Sequence, residues 1–348
     1  MRSGRQWLLR IVGILVVLVI GDVGAEMLRV SYWSPLDTKQ VLRIFTYLHD
    51  MPRADILVLG TSRARAAVIP AEIEVLLSSG LGREVKAYCL AQNGGNAYTS
   101  WLLLNDAVAV HGPPEAVILE LSPASLNSNH TNVARDLEHY SSISEIVSAA
   151  RWVDTSDRLT GAAAGLFRGI SSLTLYGLRF VYSDSVEGNL ASYRRLKGAE
   201  FPRKLLAEYR PPPEPNAVRR PAQHDTAVRL TRRLYMRDYK VGGAPEAGFD
   251  AMVEFAAEHA IPLILVDPPV TPEYGEAIFA PTEFAEYRSA VDRALEDPRS
   301  TLVEADVSRL AITQEDFQDL THLNPRGALR FSRFFAREVL LPVMVERK

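Results

Sequence analysis

Ser62 stands at the tip of an apolar run, ILVLGTSRAR (56–65), in a sequence of 348 residues. A serine hydroxyl is a poor nucleophile by itself. It needs a base to take its proton and a third group to orient that base. The far end of the chain offers both. In QDLTHLNPRGALRFSRFF (318–335), Asp319 and His322 lie three apart, just ahead of a helical pattern. At that spacing the carboxylate can hold the imidazole in one tautomer and stabilise the imidazolium. A third stretch, CLAQNGGNAYTS (89–100), carries Gly94 and Gly95, whose backbone N–H groups can approach a substrate oxygen, and the amides of Asn93 and Asn96. One of these donors with the Ser62 amide would make an oxyanion hole. Each piece also has a plainer reading. Gly-Thr-Ser after a strand makes a turn and an N-cap, D-x-x-H recurs by chance, and Asn-Gly is a turn signal.

The elements that must bring these pieces together alternate along the chain. Short apolar strands are predicted at 55–60, 85–90, 116–121, 262–267 and 301–305. Helical spacing is predicted at 66–79, 98–110, 249–259, 281–295 and from 325 to about 345. Strands alternating with helices imply an α/β fold, a parallel sheet of about five strands covered on both faces. Right-handed crossovers restrict it to a flavodoxin-like, doubly wound order. Ligands of such sheets bind beyond the carboxyl ends of the strands, where Ser62 stands.

The middle of the chain breaks the rhythm. Residues 194–240 hold thirteen Lys or Arg against five Asp or Glu, and YRPPPEPNAVRRPAQ (209–223) has prolines that oppose regular structure. A solvated, helical or irregular insertion is expected at about 125–245. Its charge also suits a surface that meets acidic polysaccharide or anionic headgroups.

The N-terminus begins MRSGRQWLLRIVGILVVLVIGDVGAEM, with Arg2, Arg5 and Arg10 ahead of the apolar run 11–20. Residues 1–26 therefore read as an uncleaved signal anchor with its basic end inside, or as a signal peptide cleaved after Ala25. Either sends residues 27–348 across a membrane.

Several classes fall away. A net charge of −3 gives no footprint for nucleic acid. The single cysteine, Cys89, lies in an apolar run and reads as a core residue. His111, His130, His139 and His259 lack metal-ligand spacing, and no phosphate-binding glycine fingerprint occurs, so neither metal nor cofactor is expected. Asp267, Glu304 and Asp306, near strand ends, read as edge or turn residues.

In this order and on this strand pattern, LGTSRA, the Gly94-Gly95 loop and D-x-x-HLNPRGA resemble the SGNH (GDSL-like) hydrolase superfamily. They are similar in particular to its membrane-anchored bacterial branch, with the alginate O-acetyltransferases and the D-alanyl transfer protein of teichoic acid synthesis. The resemblance covers about 50–125 and 250–345. It implies Ser62 as nucleophile, His322 as base, Asp319 as its orienting acid and Gly94, alternatively Gly95, as an oxyanion donor, with no cofactor. It further implies a periplasmic domain on the inner membrane, a Ser-His-Asp esterase or O-acetyltransferase of polysaccharide or other acylated glycan, and an integral-membrane acyl donor protein as partner. Two positions depart from the family pattern. Thr61 replaces the Asp of the first block, and LELSPASLNSN (119–129) stands where Gly-x-Asn-Asp is expected, leaving Asn127, Ser122 or neither as third donor. A silent protein that binds acidic glycan through the basic insertion is the competing reading, and a lipid-directed esterase a third.

Overall fold

The computed structural model describes residues 51–130, 221–278, 284–304, 307 and 309–346, all within one compact unit of the chain. The candidate membrane segment and the basic stretch before residue 221 lie outside them. No helix among the described residues is long and apolar enough to cross a membrane.

Strand β1 (Ile56–Leu59) leads into helices α1 (Ser62–Ala67) and α2 (Pro70–Leu81). Where the spacing predicts one helix over 66–79, the chain makes two. The ring of Pro70 keeps the preceding residue out of the helical region, and Ile69 is extended at φ −104°, ψ 98°. The break lets α1 start eight residues before α2, with Ser62 as its first residue.

There follow β2 (Ala87–Cys89), α3 (Ala97–His111), β3 (Ala116–Glu120) and the short α4 (Pro123–Leu126). After the undescribed segment come α5 (Pro221–Tyr235), α6 (Gly243–Glu258), β4 (Leu263–Asp267), α7 (Pro272–Ile278), α8 (Ala285–Leu295) and β5 (Ser300–Glu304). Helix α9 (Pro325–Phe334) runs on through a π-helical stretch (Phe335–Leu340) into α10 (Leu341–Val345).

Helix α5 corrects the expectation of irregular chain only over 221–223; residues 209–220 lie outside the described residues. Pro221 is its first described residue. Helix α6 starts at Gly243 rather than near 249.

The five strands are all parallel, in the order β2-β1-β3-β4-β5. This is the order expected of a doubly wound sheet, reversing between β1 and β3. The inner strands β1, β3 and β4 are apolar at nearly every position because both faces are covered. Ile56, Val58, Ile118, Ile264 and Val266 share one core cluster with Ile73 and Leu77 of α2 and with Phe331 and Phe335. The alternating residues Leu57, Leu59, Val117, Leu119, Leu263 and Leu265 are equally buried and face the opposite side. Full burial of each such side chain is worth about 1.5–3 kcal/mol.

Helices α3 and α6 pack closely, through Gly248. A Cβ there would lie 2.5 Å from Tyr98 Cα and 2.9 Å from its nitrogen. Gly248→Ala is therefore expected to lower stability by at least about 1–3 kcal/mol, read as a lower midpoint in thermal or denaturant unfolding. An unchanged midpoint would contradict the close approach.

Candidate functional site

The β1–α1 turn places Ser62 at the carboxyl edge of the sheet, beside the reversal of strand order. Thr61 is the N-cap of α1, and its Oγ1 accepts from the Arg63 amide at 3.1 Å. Ser62 is the first helical residue. Among the described residues its own N–H meets no acceptor, as the geometry of a helix start dictates.

His322 arrives at the same edge through α9. Ser332, fully buried on that helix, accepts from the Ile69 amide at 2.8 Å and donates to the Ala67 carbonyl at 3.2 Å. Helix α9 is thus clamped to the α1–α2 break, and the loop before α9 lies over the start of α1. The motif HLNPRGA explains the loop. Asn324 caps α9 by accepting from the Arg326 and Gly327 amides, and Pro325 takes the first helical position. Gly327 leaves room for the Asp316 carbonyl, which a Cβ would strike. Phe317 and Leu323 form an antiparallel bridge, and the Gln318 amide donates to the His322 carbonyl at 2.8 Å. Asp319 and His322 stand at the tip of this tight loop.

Three side chains then line up. His322 Nε2 lies 2.8 Å from Ser62 Oγ. On the other side of the ring, Nδ1 lies 2.7 Å from Asp319 Oδ2 and 2.9 Å from Oδ1. Asp319 is itself held by the Thr321 amide at 2.8 Å and the His322 amide at 2.9 Å. Burial works against the Asp319 carboxylate, but the hydrogen bond and charge of His322, with these amides, hold it below the usual carboxylate range. A carboxylate kept ionised on Nδ1 fixes the tautomer with Nε2 facing the serine.

Asp316 anchors the same loop from beneath. It is fully buried and accepts from the Thr313 amide at 2.8 Å and from Arg326 Nε at 2.6 Å. Burial alone would raise it, yet these donors hold it below the ordinary value. A depressed carboxylate adds stability that is present above its unfolded pKa, about 4, and lost as pH falls through the lower folded value. The stability gap between wild type and Asp316→Asn is therefore expected to hold near neutrality and shrink on acidification. A gap that widens in acid would contradict this.

The second loop reaches the Ser62 turn through Gly60. The Gln92 amide donates to the Gly60 carbonyl at 2.9 Å, and the same carbonyl would lie 3.1 Å from a Cβ on Gly95. Gly94 sits in the turn at φ 64°, a conformation that suits glycine. Of the expected oxyanion donors, the Gly95 amide is committed to the Gln92 carbonyl at 3.1 Å, so Gly95 serves as the close-approach residue instead. Asn96 caps α3, its Oδ1 accepting from the Thr99 amide at 3.1 Å. Asn127 is drawn elsewhere. Its Nδ2 donates to the Tyr235 carbonyl at 2.8 Å, and its Oδ1 accepts from the Asn129 and Lys240 amides. It ties α4 to the end of α5 rather than supplying a third donor. The Ser122 amide is taken by Ser125 Oγ at 2.8 Å.

The sequence does not show that charged residues form a network around Ser62. Arg63 reaches across the sheet edge, from Nη1 to Glu120 Oε1 at 3.4 Å and from Nη2 to Asp267 Oδ1 at 2.6 Å, and also donates to the Pro268 carbonyl. Glu120 is fully buried at the end of β3, and its Oε2 accepts from the Thr61 amide at 2.7 Å. Burial pushes the Glu120 carboxyl upward, opposed by Arg63 and by the Thr61 amide. Burial opposes the Arg63 charge, but Asp267 and Glu120 hold the guanidinium above its ordinary value. Asp267, read from sequence as an edge residue, is one end of this network. The signal that could have found it was Glu120 itself, a charge closing the apolar run AVILE.

Helix α5 borders this edge. The Tyr235 ring stacks on His130 at 4.7 Å, and Thr231 hydrogen-bonds to Tyr274 of α7. Arg229, Arg232 and Arg233 are exposed on it. Among the described residues no group of acidic, His or Cys side chains could hold a metal ion. No protein-family model and no curated protein matches the sequence.

Proposed function

We propose that this chain is a serine-dependent acyl-ester enzyme of SGNH type, acting outside the cytoplasm as an O-acyl (acetyl) transferase or esterase on a cell-envelope or exported polysaccharide. The observation that carries the reading is the Ser62–His322–Asp319 line, with contacts of 2.8 and 2.7 Å. Its position at the reversal of strand order, where such sheets bind ligands, adds support.

The chemistry is two-step acyl transfer. Ser62 Oγ attacks the acyl carbonyl carbon while its proton passes to His322 Nε2. Asp319 holds Nδ1–H and stabilises the imidazolium. The tetrahedral oxyanion accepts from the Ser62 amide, with the second donor falling on the Gly94 loop as the SGNH resemblance implies. As the carbon–oxygen bond to the leaving alcohol breaks, His322 returns the proton to it, leaving an ester on Ser62. A glycan hydroxyl or water, deprotonated by His322, then attacks the ester carbonyl; the bond to Ser62 Oγ breaks and His322 returns the proton to the serine. Residues 1–26, as signal anchor, would hold this domain on the periplasmic side of a bacterial inner membrane. The exposed arginines of α5 suit an anionic polymer, and an integral-membrane protein would supply the acyl donor.

A catalytically silent glycan binder is the second reading, favoured by one observation: Ser122 and Asn127, the candidates for a third oxyanion donor, are both hydrogen-bonded elsewhere. The two readings separate in assays of the 348-residue chain in detergent, on 4-nitrophenyl esters of increasing acyl length and on O-acetylated polysaccharide. The enzyme reading expects turnover that favours short acyl groups and vanishes in Ser62→Ala. Glycan binding without turnover, unaffected by Ser62→Ala and weakened by salt, would select the binder.

A further inference from the structure

The geometry points to Glu120 and Arg63 as positioning residues for Ser62: a strap across the ends of β1, β3 and β4 that fixes the nucleophile turn against His322. The inference rests on the acyl-enzyme reading for its kinetic consequence, and on geometry alone for its structural one.

Ser62 lies between two residues held by the same carboxylate. On one side the Thr61 amide donates to Glu120 Oε2 at 2.7 Å. On the other, Arg63 Nη1 reaches Glu120 Oε1 at 3.4 Å, while Nη2 bonds Asp267 at 2.6 Å and the Pro268 carbonyl. Gly60 completes the arrangement. At φ 131°, it brings the backbone so close that a Cβ would stand 2.6 Å from Glu120 Cβ. Glu120 is fully buried and the Arg63 side chain only 11 % exposed. Neither group is placed to contribute as a solvated surface charge.

An isolated buried ion pair is weak evidence for stability, because desolvation offsets most of the attraction. What this one supplies is geometry. A guanidinium has a rigid fork of donors that can bridge two carboxylates at fixed angles. Here the fork joins three strand ends whose relative placement sets where Ser62 Oγ sits. The Ser62–His322 contact is otherwise held from the other side of the site, through α9 and its loop. The strap gives the serine its own reference to the sheet.

The partners differ in how replaceable they are. Glu120 accepts two donors, one on each oxygen. A glutamine replaces one of these oxygens with an NH2 group, so Glu120→Gln sets a donor against either the Thr61 amide or Arg63. Asp267 is 35 % exposed and takes one Arg63 donor, which an asparagine oxygen can also accept. Arg63→Lys offers a point charge that cannot span both carboxylates.

The test is the rate of reaction with a fluorophosphonate, separated into the maximal inactivation rate, the half-saturating concentration and the final fraction labelled, on the full chain. A merely structural role changes the melting temperature and the labelled fraction, and leaves the rate constant of the folded fraction alone. Positioning lowers that rate constant at unchanged half-saturation. Glu120→Gln and Arg63→Lys are expected to lose about 10- to 100-fold in maximal rate, and Asp267→Asn to stay within about twofold. Both Glu120→Gln and Arg63→Lys folding and reacting within about twofold of wild type would overturn the inference. If wild type takes no label, the acyl-enzyme reading fails instead. The strap is then judged by a crystal structure of Arg63→Lys. A Ser62 Oγ to His322 Nε2 contact lengthened beyond hydrogen-bond reach supports it, and one kept at 2.8 Å overturns it.

Discussion

His322→Ala is expected to lower turnover of a small acetyl ester by about 10⁴–10⁶-fold, and adding Ser62→Ala to it is expected to lower turnover no further. Attack and proton removal are one event when Nε2 lies 2.8 Å from Oγ, so a serine without its base is nearly as inert as no serine. Asp319→Asn should cost about 10⁴-fold while leaving the fold intact, because an amide on Nδ1 favours the wrong tautomer. The residual rate in all three variants would come from the oxyanion donors and from binding. Steady-state kinetics on the singles and the double decide the matter. Losses that multiply would show that Ser62 and His322 act separately, and the line of contacts would then not be a catalytic unit.

Gly60→Ala is the second large effect, and it acts through the fold. The residue has φ 131°, which L side chains avoid, and its Cβ would meet Glu120 Cβ at 2.6 Å and Oε2 at 2.8 Å. Glu120 cannot swing away without releasing Thr61 and Arg63. Backbone strain and overpacking together should cost about 3 kcal/mol or more, measured as a drop in the unfolding midpoint with reduced serine reactivity. A variant as stable as wild type would mean that the β1–α1 turn is softer than its contacts indicate.

The sheet was legible because inner strands of a parallel sheet are apolar on both faces. ILVL, AVILE and LILVD announce themselves as short apolar runs between turn signals, and each became a strand. Helix limits were less legible where proline decided them. Pro70 split one amphipathic pattern into two helices, and Pro221, one of the prolines that argued against regular structure, lies within a helix.

At the candidate site, Ser62, Asp319 and His322 could be paired as candidates from residue type and local spacing, and the structure brings them into contact. The donors could not be sorted the same way. Whether Gly95, Asn96 or Asn127 has a hydrogen to spare depends on neighbours distant in sequence. Asn127 turned out to hold residues 235–240 in place. The Arg63 strap was invisible for the same reason, since Glu120 and Asp267 become neighbours of Arg63 only once the order β1-β3-β4 is known.

The measurement that bears most directly on the central claim is intact mass after fluorophosphonate treatment of the full chain, beside Ser62→Ala and His322→Ala. An activated serine predicts a single stoichiometric adduct on wild type and none on either variant. A folded wild type without adduct, or an adduct that persists in Ser62→Ala, would contradict the assignment of Ser62 as nucleophile.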